Sequence, residues 1–124
     1  MTDQKCPFCE PGREVIAEND HGYAVFDKYP VSDGHTLVIS RRHVPDYFDL
    51  SDEEKTACWK LVDEVKKHLE AEYNPDGWNI GINTGSVAGQ TVFHFHCHVI
   101  PRYRGDVINP TGGIRNVKPG MGEY

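Results

Sequence analysis

Residues 92–100 read Val-Phe-His-Phe-His-Cys-His-Val-Ile, and this stretch decides the fold because apolar residues and histidines alternate along it. Successive side chains of a β-strand point to opposite faces, so the alternation predicts a strand, which we place over residues 90–100. On this strand His94, His96 and His98 share one face. The opposite face is expected to pack against a helix and consists of Phe93, Phe95, Cys97 and Val99.

Three histidines on one strand face have three explanations. Together they could form a metal site of the kind found in metal-dependent hydrolases. Alternatively, one of them is a nucleophile that its neighbours orient and supply with protons; an imidazole suits this role because its ordinary pKa of about 6.5 leaves it largely neutral at pH 7. The third explanation is a polar face without a function, although β-strand propensity gives no reason to place histidines there.

A long helix is predicted to begin after Ser51. Ser51 and Glu54 have the spacing of a capping box, and the helix is expected to end near Tyr73, before the turn-forming residues 74–77. Apolar residues at helical spacing form one stripe along it, namely Cys58, Leu61, Val62, Val65 and Leu69.

Four shorter strands complete the predicted fold. We place them at residues 15–17, 23–26, 36–39 and 78–83, and a small glycine-bearing loop at 84–89 leads into the histidine strand. Strands that precede and follow one long helix in the sequence indicate the α+β class, with a mainly antiparallel five-stranded sheet and short helical segments.

Length and charge limit the possible functions. The 124 residues suit a single domain over 1–124, with a core at about 5–103 and a tail rich in glycine, proline and arginine at about 104–124. The net charge of -6 disfavours a broad nucleic-acid surface, so no nucleic-acid partner is expected. The sequence has no apolar run of about 18 residues and begins with a polar segment, so we expect no membrane span, no secretory signal and a cytoplasmic location.

Cys6 and Cys9 form a C-x-x-C pair, which has the ligand spacing of a zinc site. A closed site needs two more ligands, and His43 and His94 are the best candidates. A redox pair of the thioredoxin type would open a helix, and the Glu-Pro-Gly sequence at residues 10–12 predicts none. Ordinary free thiols are the remaining alternative; Cys58 and Cys97 are expected to be buried thiols of this kind.

Residues 94–100 resemble the His-φ-His-φ-His-φ-φ signature of the histidine-triad (HIT) nucleotide hydrolases and transferases, where φ is an apolar residue. The similarity continues at residues 34–39, which are like the Gly-His-x-Leu-Val strand of that family. Phe26-Asp27 resembles the end of its nucleoside-pocket strand, and residues 83–92 resemble its phosphate-side loop. Together these segments cover about residues 5–103.

The resemblance implies roles for single residues. His96 would attack the α-phosphorus of a nucleoside phosphoanhydride or phosphoramidate and form a covalent intermediate. Asp27 would bind the ribose hydroxyls, or else be an exposed turn residue, and His35 would orient the triad, or else be a buried structural histidine. The remaining phosphate contacts would be His98, Asn83, Gln90 and Thr91.

In the zinc-bearing HIT proteins the ligands correspond to Cys6, Cys9, His43 and His94, so the resemblance implies a structural zinc ion. The base would lie in an apolar pocket, for which Phe26 and Ile39 are candidates.

The resemblance also implies a homodimer whose interface contains the long helix and the strand before the histidine strand. Trp59 would then be an interface anchor, or else pack inside its own subunit. Arginines of the tail either hold the outer phosphates of a polyphosphate or are solvated, namely Arg102, Arg104 and Arg115.

The expected activity is hydrolysis at the α-phosphate. Dinucleoside polyphosphates are the first choice of substrate, as in bacterial diadenosine-polyphosphate hydrolase relatives, and adenosine phosphoramidates or other adenylate conjugates are the second. The alternative is a module that binds or senses nucleotides with little turnover.

Overall fold

Five strands and one long helix form the framework of the computed structural model, which describes residues 6–10 and 12–122. The strands are β1 (Ala17–Asn19), β2 (Gly22–Phe26), β3 (Thr36–Ser40), β4 (Gly77–Gly81) and β5 (His96–Arg102), and the helix is α1 (Asp52–Tyr73). Short 3-10 helices lie at Tyr47–Asp49, Ser86–Ala88 and Gly113–Val117. The predicted α+β class is confirmed.

All five strands form one sheet in the order β1-β2-β3-β5-β4, and each neighbouring pair is antiparallel. The histidine strand β5 therefore lies between β3 and β4. The register pairs Leu37 of β3 with His98 and Ile39 with His96. On the other side of β3, Val25 of β2 pairs with Leu37.

Helix α1 begins and ends where the sequence predicts. The Ser51 side chain accepts a hydrogen bond from Glu54 N, the Glu54 side chain accepts one from Ser51 N, and Asn74 ends the helix in the left-handed conformation with a φ of 51°. The predicted stripe is buried against one face of the sheet, where it contacts Phe95, Cys97 and Val99. Burial of each large aliphatic side chain there contributes about 1.5–3 kcal/mol to folding.

β5 begins at His96 rather than at residue 90, so the predicted row of three histidines is wrong at its first member. The chain before His96 leaves the regular ladder: Phe95 N donates to Val44 O, and Ser40 N donates to Phe95 O. The Nε2 atom of His94 is 2.6 Å from Ser40 O, the carbonyl of the last residue of β3, so a side chain uses an acceptor that a neighbouring strand would otherwise use. Consequently His94 turns away from the face that carries His96, and Phe93 is 49% exposed instead of packed on α1.

The first hairpin is tighter than predicted. Asn19 Oδ1 accepts hydrogen bonds from His21 N and Gly22 N, so the turn closes over two residues and β1 shifts from 15–17 to Ala17–Asn19. β4 is also shorter than predicted, since it ends at Gly81. In the part of the chain that the structure describes, no helix is both long and apolar enough to span a bilayer.

Candidate active site

The sheet face opposite α1 carries the candidate site. A second apolar cluster covers part of it and consists of Phe8, Tyr23, Val25, Leu37 and Ile39. A cavity of about 680 Å³ opens beside this cluster. Five of the predicted site residues besides His96 line the cavity, namely Asp27, His35, Asn83, Thr91 and His98.

His96 lines the cavity with one ring nitrogen fixed by the backbone. Its Nδ1 atom lies 2.9 Å from the carbonyl oxygen of His94, which only accepts hydrogen bonds, so Nδ1 carries the proton. The other nitrogen, Nε2, then holds a lone pair in the neutral ring. The centroid of the Phe8 ring lies 4.8 Å from that of the imidazole, with the planes at 63°, and this contact restricts the rotation of His96. The geometry therefore presents a nucleophilic nitrogen in one tautomer.

A chain of hydrogen bonds also fixes the tautomer of His98. Val31 N donates to Nδ1 of His35 over 3.2 Å, so the His35 proton is on Nε2. That Nε2 atom lies 2.9 Å from Nδ1 of His98 and 3.4 Å from Oδ2 of Asp27. His98 Nδ1 accepts the hydrogen bond from His35 Nε2–H, so the proton of the neutral His98 ring is on Nε2.

Burial keeps these two rings neutral. It lowers the pKa of His98 to about 4, with a further contribution from the nearby His96 and His35, against which the charge of Asp27 acts only weakly. Burial likewise lowers the pKa of His35. Both rings are therefore hydrogen-bond donors without charge at neutral pH.

Asp27 follows β2 directly and remains beside the cavity. Its Oδ1 atom accepts a hydrogen bond from Tyr29 N at 2.8 Å, which fixes the carboxylate at the start of a turn. Asn83 and Thr91 also line the cavity, on the side of the loop that follows β4. The structure thus brings these three predicted residues to one space with His96.

Gln90 is placed differently. Its side chain is buried, accepts a hydrogen bond from Gly85 N at 2.8 Å, and donates to Pro45 O and to Val92 O. These contacts close the loop around Gly85 and Gly89, whose φ angles of 91° and 98° favour glycine. Gln90 does not line the cavity, so it acts on the loop's shape.

Cys6, Cys9, His43 and His94 come together in a second cluster, behind the start of β5. Their donor atoms lie within 4.8 Å of one another, and four of the separations are 3.1–3.6 Å. A tetrahedral zinc site with two sulfur and two nitrogen ligands needs separations of roughly 3.3–3.8 Å. His94 donates from Nε2 to Ser40 O, so the lone pair on Nδ1 faces the cluster. The four residues therefore fit a zinc ion.

Arg42 positions the loop that carries His43. Its guanidinium donates to both carboxylate oxygens of Glu54, at 2.8 and 3.1 Å, and to Asp49 O. These hydrogen bonds are the main reason that the pKa of Glu54 falls to about 2. The start of α1 thus anchors the segment that follows β3.

The predicted base pocket is wrong. Phe26 lies on the sheet face toward α1, where its ring centroid is 6.4 Å from that of Tyr73, and Ile39 is buried within the second apolar cluster and does not line the cavity. The apolar lining of the cavity comes instead from Pro7, Phe8, Val31, Leu37 and Val92. Phe26 and Val25 point to opposite faces, and only the face of Val25 carries the site.

Two of the three predicted arginines, Arg102 and Arg115, bind other parts of the chain through their side chains, whereas Arg104 donates its backbone N–H to Asp76. Arg102 forms a bidentate pair with Asp106 and donates to Asn79, and Arg115 donates to Gly122 O. These contacts oppose the prediction of phosphate-binding arginines at Arg102 and Arg115. A different arginine, Arg13, lines the cavity, and neither periodicity nor a motif in the sequence marks it.

Comparison with known proteins agrees with this geometry. The sequence model of the HIT domain matches residues 10–105, which include the cavity residues except Pro7 and Phe8, and the metal-ligand candidates His43 and His94. The chain belongs to the HIT domain family. Cys6 and Cys9 precede the matched range.

Two curated relatives and one crystal structure illustrate what this HIT protein is similar to. A HIT-like protein of Mycoplasma pneumoniae is 39% identical over 83% of this chain and 75% of its own length. A bis(5'-adenosyl)-triphosphatase of Dictyostelium discoideum is 38% identical over 77% of this chain and 64% of its own length. The crystal structure of a Zn-bound histidine triad family protein from Mycobacterium smegmatis superposes with a TM-score of 0.73 at 33% identity, over 84% of this chain and 77% of that one.

Proposed function

We propose that this HIT protein hydrolyses nucleotides at the α-phosphate through a nucleotidyl intermediate on His96. The observation that carries the proposal is the fixed tautomer of His96, whose Nδ1–H is held by His94 O, which leaves the lone pair on Nε2 of a ring that lines the cavity. Dinucleoside polyphosphates are the proposed substrates, with adenylate conjugates such as phosphoramidates second. The bis(5'-adenosyl)-triphosphatase among the relatives supports this order.

The reaction would proceed in two displacements. Nε2 of His96 forms a bond to the α-phosphorus while the bond to the leaving oxygen or nitrogen breaks. Water then attacks the phosphorus, the phosphorus–nitrogen bond breaks, and the nucleoside monophosphate leaves with His96 restored. The centroid of the His98 ring lies 5.2 Å from that of His96, which supports assigning the Nε2–H of His98 as a donor to a phosphoryl oxygen.

The remaining cavity residues would hold the substrate. We assign the ribose hydroxyls to Asp27, since a carboxylate accepts two hydrogen bonds from a diol. Asn83 and Thr91 are assigned to the phosphates, and Gln90 would act on them through the loop that it closes.

We also propose that Cys6, Cys9, His43 and His94 hold a structural zinc ion. The donor set and its spacing support this, as does the zinc-bound relative. When bound, zinc would neutralise the thiolates and tie the N-terminal segment to the chain around β3 and β5. Four protein ligands complete a tetrahedron, so the reacting groups are those of the chain itself.

The homodimer is likewise a proposal. β4 is an edge strand of the sheet, and Ile80 on it is 41% exposed. Trp59 on α1 is 42% exposed and meets its own subunit mainly at Tyr47. A second subunit that covered this edge and helix would remove both apolar side chains from water.

The test is to trap the intermediate. Protein mixed with diadenosine triphosphate and quenched in acetonitrile should gain the mass of one adenylyl group on His96, and His96→Ala should gain none. A nucleotide-binding module without turnover would bind the compound and gain no mass. Initial rates with dinucleoside polyphosphates and with adenosine phosphoramidate then rank the substrate classes.

A further inference from the structure

Arg13 carries two hydrogen-bond donors that the folded chain leaves unused. Its Nε and Nη1 atoms are buried and have no hydrogen-bond partner, and no other buried side-chain nitrogen or oxygen among residues 6–10 and 12–122 shares this condition. Buried hydrogen-bond donors in native proteins nearly always have partners, and an unpaired donor on a charged group costs more free energy than one on a neutral group. Because Arg13 lines the cavity, the missing acceptor is expected on the ligand.

The position of Arg13 assigns it to one end of the cavity. Its charge acts on Tyr23 of β2, where it opposes the burial that raises the pKa of Tyr23 to about 12. The register places Tyr23 opposite Ile39, and Ile39 opposite His96. Tyr23 is therefore two strand spacings, roughly 10 Å, from the proposed nucleophile.

The phosphates beyond the α-phosphate are expected on the opposite side of His96 from Arg13. Asn83, Gly89 and Thr91 belong to the loop after β4, and β4 lies on the opposite side of β5 from β3 and β2. With the α-phosphorus at His96 and the ribose at Asp27, which follows β2, the base is directed toward Phe8 and Arg13. Arg13 thus meets the nucleobase rather than the leaving group.

We propose that Arg13 selects 6-oxopurine nucleotides, such as guanosine and inosine nucleotides, over adenine nucleotides. This inference rests on the proposed function and deepens it. The O6 and N7 atoms of guanine are adjacent acceptors that match a guanidinium fork, whereas adenine presents an amino group, itself a donor, in place of O6. An adenine base would leave a guanidinium donor facing another donor.

Binding of nucleoside monophosphates tests the proposal without turnover. Calorimetric titrations of the full chain use the monophosphates of guanosine, inosine, adenosine and 7-deazaguanosine. The wild-type protein should bind guanosine and inosine monophosphates about five- to one-hundred-fold more tightly than adenosine monophosphate. The 7-deaza compound, which lacks the N7 acceptor, should fall between them.

Two variants and one control complete the experiment. Arg13→Met should abolish the preference by weakening the oxopurine complexes, and Arg13→Lys, which keeps the charge without the fork, should lose most of it. The control is Arg41→Met, because Arg41 lies 6.0 Å over the same Tyr23 ring but is paired with Glu18 outside the cavity. It should keep the preference.

Two results would overturn the inference. They are equal wild-type affinities for the four nucleotides and equal weakening of all of them by Arg13→Met. If base preference is absent while His96 still gains a nucleotidyl group, only the role of Arg13 fails. If no nucleotide binds at all, the proposed function fails with it.

Discussion

Nε2 of His35 lies 2.9 Å from Nδ1 of His98, and this contact is the middle of a hydrogen-bond chain with one direction. The chain starts at a backbone N–H, that of Val31, which cannot reverse its role. The proton on each following ring is therefore fixed, and the last N–H of the series is on Nε2 of His98. His35 thus contributes to the site through His98 as a positioning residue.

Replacement of His35 tests this chain. In His35→Ala, Nδ1 of His98 loses its donor and its tautomer is no longer fixed, so we expect kcat to fall about ten- to one-hundred-fold. His35→Gln offers an amide N–H near the same position and should recover part of the loss. Formation of the His96 adduct should persist in both variants. Equal activity of His35→Ala and the wild type would show that His35 is only a packing residue.

His96→Ala tests the nucleophile. We expect a loss of several orders of magnitude in kcat, because the covalent route disappears, while nucleotide affinity changes little. Steady-state rates and equilibrium titration measure the two quantities separately. His68→Ala, on the exposed side of α1, is the matched control. Turnover of His96→Ala near the wild-type rate would exclude the covalent mechanism.

Stability should fall in mild acid because of His98. Its pKa is lowered to about 4 in the folded chain, whereas an unfolded histidine has an ordinary pKa of about 6.5. Between these values the unfolded state binds the extra proton, so the contribution is fully present above pH 6.5 and is lost as the pH falls toward 4. The slope from this group is at most about 1.4 kcal/mol per pH unit.

Urea unfolding at several pH values measures that slope. His98→Asn should unfold with a flatter dependence on pH than the wild type, because it keeps a hydrogen-bonding side chain but does not titrate. The other histidines are common to both proteins, so their contributions largely cancel in the comparison. Parallel curves for the two proteins would contradict the burial of a neutral His98.

Metal content tests the second cluster. Protein purified without chelator should contain about one zinc ion per chain, and Cys6→Ser or Cys9→Ser should contain much less. Chelation should lower Tm more than it lowers the initial rate, since the four ligands leave no coordination position for substrate. His68→Ala should keep its zinc. A metal-free wild-type protein whose Tm does not respond to added zinc would refute the assignment.

Light scattering at micromolar concentration tests the dimer. The expected mass is twice the chain mass of 14.0 kDa. Trp59→Ala should weaken association, because the large side chain is 42% exposed in the single chain and aromatic residues are favoured in interfaces. Lys67→Ala on the same helix is a control. A fully active monomer would show that the second subunit is neither stable nor needed.

The sequence predicts the parts of this structure that depend on local chemistry. The capping box at Ser51 and the turn at residues 74–77 set both ends of α1, and the C-x-x-C spacing with His43 and His94 indicates the second cluster. The strand alternation also assigns His96 and His98 to one face. In these cases residues a few positions apart carry the signal, except for His43 and His94, which the family resemblance supplies.

Long-range contacts explain the errors. The alternation that starts at residue 92 continues through His94, and only the folded position of Ser40 O shows that this ring leaves the strand face. The face of β2 that lines the cavity is set by its pairing with β3, so Phe26 could not be separated from Val25 by type. Arg13 has no local pattern at all, because its environment is assembled from segments far apart in the chain.

His94 supplies its ring to the cysteine cluster and its carbonyl to the Nδ1–H of His96. One residue, His94, thus connects the segment that carries Cys6 to the proposed nucleophile His96. It follows that a change at Cys6 or Cys9 is expected to reach the tautomer of His96 through one intervening residue. A chain cut after Cys9 would keep every proposed reacting group and lose the side chains that hold the ring of His94 and pack on that of His96.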